Sequence, residues 1–324
     1  MVALLERNAY PLLPDQDRRD REEVGADNCD SRLVCVGDVY KRQVLICMTG
    51  HTYQTTTLAA YPSWATTTST ATAPVFAYPG GKARLSRTFV PYFPQTGGTF
   101  CDVFAGRGNV FFAAASTLQY GSWWINDIRT MHWFTNMLMC GDTVEVVERT
   151  RANCERLSAA PESTEAILNE PRMTYSGGGW AAGFGSDVNI VSRDTYGKRL
   201  VAGQRLLTQC GARFTDWDWK RVVEQLGEDD FAYLDPPYLN ASVRPYSATD
   251  LNHREMVDTL ACAKFGWALS EYPDPLYVEA FGRPIWQQEQ SCAMSVNRRT
   301  DRRMECLWVR ASGDQTFAGV TLTV

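Results

Sequence analysis

Histidine is scarce in this chain, with 3 among 324 residues, at His51, His132 and His253. None of the 10 cysteines pairs with another in a CxxC. A structural zinc site has little to work with, and no metal is expected. The cysteines read as reduced, mostly buried thiols of a cytoplasmic protein. No apolar run approaches the ~20 residues that span a bilayer, so no membrane partner is expected. The opening MVALLERNAY soon meets charge, which argues against a signal peptide. Positive charge is not in excess either: 32 Lys and Arg stand against 37 Asp and Glu, for a net charge of -5. That disfavours a globally basic nucleic-acid coat but leaves room for an enzyme with a local basic groove. A full GxGxxG is missing, because position 111 is Phe. A dinucleotide-dependent oxidoreductase is disfavoured accordingly.

What is present is a large apolar complement, 44% of residues, enough for a sizeable core. The length suits one large α/β domain with an insert, or two small domains. Residues 14–30 are highly charged and lack periodicity, and 52–73 are rich in Thr, Ser and Ala, like a linker. The stretch 34–43 (VCVGDVYKRQ) resembles translated sequencing-adapter read-through, which makes Met48 an alternative start. Residues 1–73 are therefore expected to be a disordered or artefactual extension, and 313–324 a tail. From Phe76 strand-like runs alternate with helical ones, predicting βαβ units and a mostly parallel sheet. Strands are predicted at 99–104, 122–125, 230–234 and 267–269. Helices are predicted at 110–118, through much of 129–170, at 217–227, and at 250–265 with Asp250 as N-cap and Gly266 as stop.

Four motifs carry chemistry. Asp235-Pro236-Pro237-Tyr238 ends a predicted strand, where open α/β sheets bind ligands. An aromatic amine is a poor nucleophile; acceptors on its two N–H groups favour a pyramidal nitrogen with an available lone pair. The Asp235 carboxylate and Pro236 carbonyl can be those acceptors, held stiff by two prolines. Tyr238 offers a face on which an extruded base can stack. The plain alternative is a Pro-Pro turn closed by an ordinary Tyr. Asp102-Val103-Phe104-Ala105-Gly106-Arg107-Gly108-Asn109 lies between strand and helix, with glycines that let backbone approach a ligand; a plain βα turn is the alternative. Asp127, about 20 residues on, can hold ribose hydroxyls or simply cap the next helix. In Tyr78-Pro79-Gly80-Gly81-Lys82 the glycines permit close approach and Lys82 can meet a carboxylate, unless this is a common surface turn.

Taken in order and spacing, these motifs resemble the Dam-type family of N6-adenine DNA methyltransferases of bacteria and phages. The resemblance covers roughly 74–312. Asn252-His253, Leu269-Ser270-Glu271-Tyr272 and the late Arg298-Arg299…Glu305-Cys306-Leu307-Trp308 also look like its later segments. The family implies a Rossmann-like sheet dependent on S-adenosylmethionine, with a mostly helical DNA-recognition subdomain inserted at about 129–215. It implies catalysis by Asp235, Pro236, Pro237 and Tyr238. It implies cofactor contacts from Tyr78, Lys82, Asp102, Phe104, Gly106, Gly108, Asp127 and Asp235. An acidic residue before a short helix is a further cofactor contact, with Asp218 preferred over Asp216. Two departures stand out: Asp102-Val103-Phe104 replaces the commoner Glu-Pro-Phe, and Tyr78 replaces Trp.

Double-stranded DNA is the implied partner of a monomer or weak dimer, phage-encoded or companion to a restriction system. Arg298, Arg299, Arg302 and Arg303, in 297–303 (NRRTDRR), can grip phosphates or read guanine edges, or form a solvated hairpin tip. The Gly-rich stretch 176–187, with Lys198 and Arg199 beyond it, is either a DNA-ordered loop or a surface excursion. The competing functions are methylation of another amine (cytosine N4, an RNA base or a protein amide) and a non-catalytic DNA-binding relative.

Overall fold

A computed structural model of the chain describes residues 73–140, 143–185, 191–239, 251–291 and 302–312, and the backbone of three strands within 31–57. The strands are β1 (Ser31–Asp38), β2 (Gln43–Thr49), β3 (Thr52–Thr57), β4 (Thr96–Asp102), β5 (Gln119–Asn126), β6 (Arg213–Thr215), β7 (Phe231–Leu234), β8 (Gly266–Glu271), β9 (Trp286–Ser291) and β10 (Arg302–Arg310). The helices are α1 (Ser86–Phe89), α2 (Asn109–Ala115), α3 (Met131–Cys140), α4 (Arg151–Ser158), α5 (Thr164–Met173), α6 (Arg193–Cys210), α7 (Trp219–Val223), α8 (His253–Ala261) and α9 (Pro275–Phe281).

One sheet runs in the order β1-β2-β3-β6-β5-β4-β7-β8-β10-β9. From β6 to β8 every neighbouring pair is parallel, and β10 then pairs antiparallel with both β8 and β9. This seven-strand α/β arrangement is compatible with a Rossmann-like methyltransferase fold. Strands β1 to β3 add an antiparallel meander at the β6 edge. Their runs SRLVCVGD, QVLICMT and TYQTTT carry the β-branched residues that suit a pleated strand.

The central strands are apolar on both faces because helices cover both. Successive side chains alternate between two cores. Phe100, Trp123, Phe231, Tyr233, Ala268 and Leu307 join one cluster, shared with α2, α3 and α6. Cys101, Trp124, Ala232, Leu234, Leu269 and Trp308 join the other, shared with α7, α8 and α9. That is the period of two of a β-strand, read out on two faces. Among the expected insert's helices, α3 and α6 share the first core through Met137, Leu138, Tyr196, Leu200 and Leu207. Helix α4 and one face of α5 form a smaller cluster, with Cys154, Leu157, Ala166 and Met173 beside Val147, while Ile167 and Leu168 of α5 join the first core.

Two local expectations are corrected. Helix α8 starts at His253 because the Asn252 side chain caps it, accepting from Glu255 N; Asp250 lies outside the described residues. The helix ends at Ala261, and Gly266 opens β8 rather than stopping α8. Among the described residues no helix is long and apolar enough to cross a membrane, and no cluster of three or more His, Cys, Asp or Glu could hold a metal ion.

Candidate active site at the carboxyl edge of the sheet

Strand β4 lies between β5 and β7, so the chain turns one way after β4 and the other way to reach β7. Such a reversal leaves a crevice beyond the carboxyl ends of the two strands. The ends of β4 and β7 are Asp102 and Leu234, and the Gly-rich turn and Asp235-Pro236-Pro237-Tyr238 follow them directly. Because β4 and β7 pair in parallel, both motifs follow adjacent strand ends on the same edge of the sheet.

In the Gly-rich turn, Gly106 and Gly108 take φ of 55° and 69°. A Cβ at Gly106 would stand 2.7 Å from the Tyr78 ring, so the aromatic packs directly against this turn. Asp102 is buried; its Oδ2 accepts from Phe111 N at 3.2 Å while Oδ1 has no partner. Burial pushes its carboxyl well above the usual range, and the nearby Asp235 charge adds to this. Asp127 ties two loops together. Its Oδ2 accepts from Gly106 N at 2.9 Å, and its Oδ1 from Arg129 N and Thr130 N at 2.8 and 2.9 Å. The capping alternative is thus the role its geometry displays, though a carboxylate has about four acceptor positions and one more donor can be taken. Phe104 is half-buried against the second core. Asp218 is exposed and caps α7, accepting from Lys220 N at 3.0 Å; Asp216 directly follows β6.

Lys82 is the centre of the site. Its ammonium lies 2.6 Å from Asp235 Oδ1, 3.5 Å from Glu305 Oε1 and 3.2 Å from Gly80 O. It also sits 4.7 Å from the Tyr238 ring centroid. Burial would lower its pKa, but Asp235 and Glu305 outweigh that and hold the ammonium above its ordinary value. Ser270, near the end of β8, donates to the same Asp235 Oδ1 at 2.9 Å and meets the Tyr233 hydroxyl at 2.8 Å. Among the described residues no hydrogen bond reaches Asp235 Oδ2. The Tyr238 hydroxyl donates to Glu305, and its ring meets Tyr272 edge-on at 4.6 Å. Glu271 accepts from Leu239 N and Tyr272 N at 3.1 and 2.8 Å, which pins the chain just past Tyr238. Burial pushes this carboxyl up to about 8.

The structure brings together Tyr78, Lys82, Asp102, Gly106, Asp127 and Asp235 to Tyr238. Arg298 and Arg299 lie outside the described residues. Arg302 is exposed and pairs with Glu289 at 2.9 Å, while the Arg303 guanidinium lies 5.3 Å from the Tyr272 ring. In the Gly-rich stretch, Gly177 is pressed against the Ala77 carbonyl, so 175–178 backs the turn that carries Lys82. Arg199 donates to Val75 O at 2.9 Å and Lys198 pairs with Asp194. Sequence reasoning assigned no role to Ser270, Glu271, Glu305 or Asn126. Ser270 and Glu271 did leave a signal, being polar residues closing an otherwise apolar strand, GWALSE.

No curated protein matches the chain. Residues 78–172, from Tyr78 through the Gly-rich turn to the end of α5, match the family of D12 class N6 adenine-specific DNA methyltransferases, and this likeness supports a DNA methyltransferase.

Proposed function

We propose that this protein methylates the N6 amine of adenine at specific sites in double-stranded DNA, using S-adenosylmethionine, through a domain spanning 74–312. One observation carries the reading: the Asp235 carboxylate ends β7 with Oδ1 held by Lys82 and Ser270 and Oδ2 left to accept from an incoming amine. The donor set suits the cofactor. The unpartnered Asp102 Oδ1 can take an ammonium or hydroxyl donor, and Gly106 and Gly108 keep the turn's backbone bare of side chains. Tyr78, Phe104 and Asp127 would line the same pocket, with Asp218 or Asp216 at its far edge. When bound, the cofactor supplies an electrophilic methyl carbon on a sulfonium.

The target adenine must leave the stack, because in-line attack from N6 is blocked inside the duplex. Its ring stacks on Tyr238, and its amine donates to Asp235 Oδ2 and the Pro236 carbonyl. Transfer of the methyl group to that nitrogen would be the chemistry the bound cofactor supplies, with Asp235 or solvent taking the amine proton. Alignment of the two reactants supplies much of the rate. Helices α3 to α6 and the Arg298 to Arg303 run are the candidate DNA contacts, and phosphate binding there would make affinity fall with salt.

The test is methyl transfer from labelled S-adenosylmethionine to unmethylated genomic DNA, followed by nucleoside analysis. Labelled N6-methyladenine is expected, and Asp235→Ala should abolish it while the protein stays folded. Near-normal turnover by that variant, or label in cytosine, would sink the assignment.

A further inference from the structure

Glu305 comes to the site from β10, 67 residues beyond Tyr238. It is 8% exposed, and a carboxylate this deep costs stability unless its partners compensate. Its Oε1 has two: the Tyr238 hydroxyl and, at 3.5 Å, the Lys82 ammonium. Lys82 lies 2.6 Å from Asp235 and 4.7 Å from the centre of the Tyr238 ring. Glu305, Tyr238, Lys82 and Asp235 thus close a ring of contacts, and every member but Glu305 already has a place in the chemistry above. Tyr272 buttresses the Tyr238 ring edge-on at 4.6 Å. The aromatic plane is therefore fixed at two points, its hydroxyl and its perpendicular contact with the Tyr272 ring.

We propose that Glu305 is a positioning residue for methyl transfer: it sets the plane of the Tyr238 ring and shares the charge of Lys82 with Asp235. The first effect orients the platform for the flipped base. The second keeps Lys82 from satisfying Asp235 alone, so the Asp235 carboxylate retains its capacity to accept from the amine. This role rests on the reading of Tyr238 and Asp235 given under the proposed function.

The test is a double-mutant cycle on the full-length protein, with Glu305→Ala, Tyr238→Phe and both together. Single-turnover methyl transfer, kcat, KM for S-adenosylmethionine and urea unfolding are measured for each. Glu305→Ala should lower kcat about 10²-fold, the scale of a roughly 1 Å misplacement, while KM for S-adenosylmethionine stays near wild type. Tyr238→Phe keeps the ring but loses its tether, and should lower kcat in the same direction. The double variant should be no slower than Glu305→Ala alone, because the two share one contact. Glu305→Gln retains an acceptor for the hydroxyl and should recover part of the rate. Multiplying effects in the double variant overturn the role. So does a Tyr238→Phe protein with wild-type turnover, a measurement that holds even if Glu305→Ala does not fold. If the wild-type protein itself puts no methyl group on DNA, the proposed function falls and takes this role with it; if only the variants behave as wild type, the function stands and the positioning role alone falls.

Discussion

Gly106 shows what one residue must be for the site to exist. Its φ of 55° lies in the left-handed region, and the Tyr78 ring occupies the place where a Cβ would go. An L side chain there costs about 1–2 kcal/mol in backbone conformation alone, before the aromatic is displaced. Gly106→Ala should therefore lower stability by about that amount and weaken cofactor binding more than stability. Calorimetric titration with S-adenosylmethionine beside a urea melt would show this. Undiminished cofactor affinity in a folded Gly106→Ala protein would move the cofactor away from this turn. Asp235 needs its identity for a different reason, as the carboxylate that takes both Lys82 and Ser270 on one oxygen and, under the proposed function, the incoming amine on the other.

At the scale of elements, the ends of three neighbouring strands are joined by one side chain. Asn126, at the end of β5, donates through Nδ2 to Val103 O past β4 and to Trp217 O past β6, at 2.9 and 3.1 Å. Its Oδ1 accepts from Thr215 Oγ1 and Trp217 N at 2.7 and 2.9 Å. Only an amide can donate twice and accept twice here. Asn126→Asp replaces two donors with acceptors facing carbonyls and should cost about 2–4 kcal/mol by leaving buried polar groups unmatched; a urea midpoint equal to wild type would show that water fills in. The strands themselves were legible, because β4, β5, β7 and β8 are apolar runs ending in polar or glycine-rich motifs. Asp235 to Tyr238, the Gly-rich turn and Asp127 were legible for the same reason: each sits where a strand stops. Glu305 and Asn126 were not, since their meaning lies in partners from other strands that no local pattern announces; Ser270 showed only as a polar residue near the end of an apolar strand. The α8 cap was misread by two residues because Asp250 and Asn252 are equally good caps in composition.

At the scale of the whole molecule, the site stores an electrostatic cost that makes stability depend on pH. The Glu271 carboxyl is pushed up to about 8 from 4.5, chiefly by burial and further by Glu305, against the backbone N–H groups of Tyr272 and Leu239 that lower it. Between these values the unfolded chain has released the proton and the folded one has kept it. Stability from this group must then fall as pH rises from about 4.5 to about 8, and level off above. Glu271→Gln cannot ionise, so its urea midpoint should drop less between pH 5 and pH 8 than that of the wild type. Equal drops in the two proteins would assign the slope to other groups.

Strand β10 has a consequence for when this protein becomes competent. It is the last described strand in the chain, yet it lies between β8 and β9 and delivers Glu305 to Lys82, which arrives before the first strand of the parallel sheet. During synthesis the glycine turn, Asp235 and Ser270 are all made before β10 leaves the ribosome. Until that strand inserts, Tyr238 and Lys82 lack their shared partner. A nascent or C-terminally clipped chain would hold its motifs without the assembled ring, so the order of synthesis itself delays closure of that ring until β10 is in place.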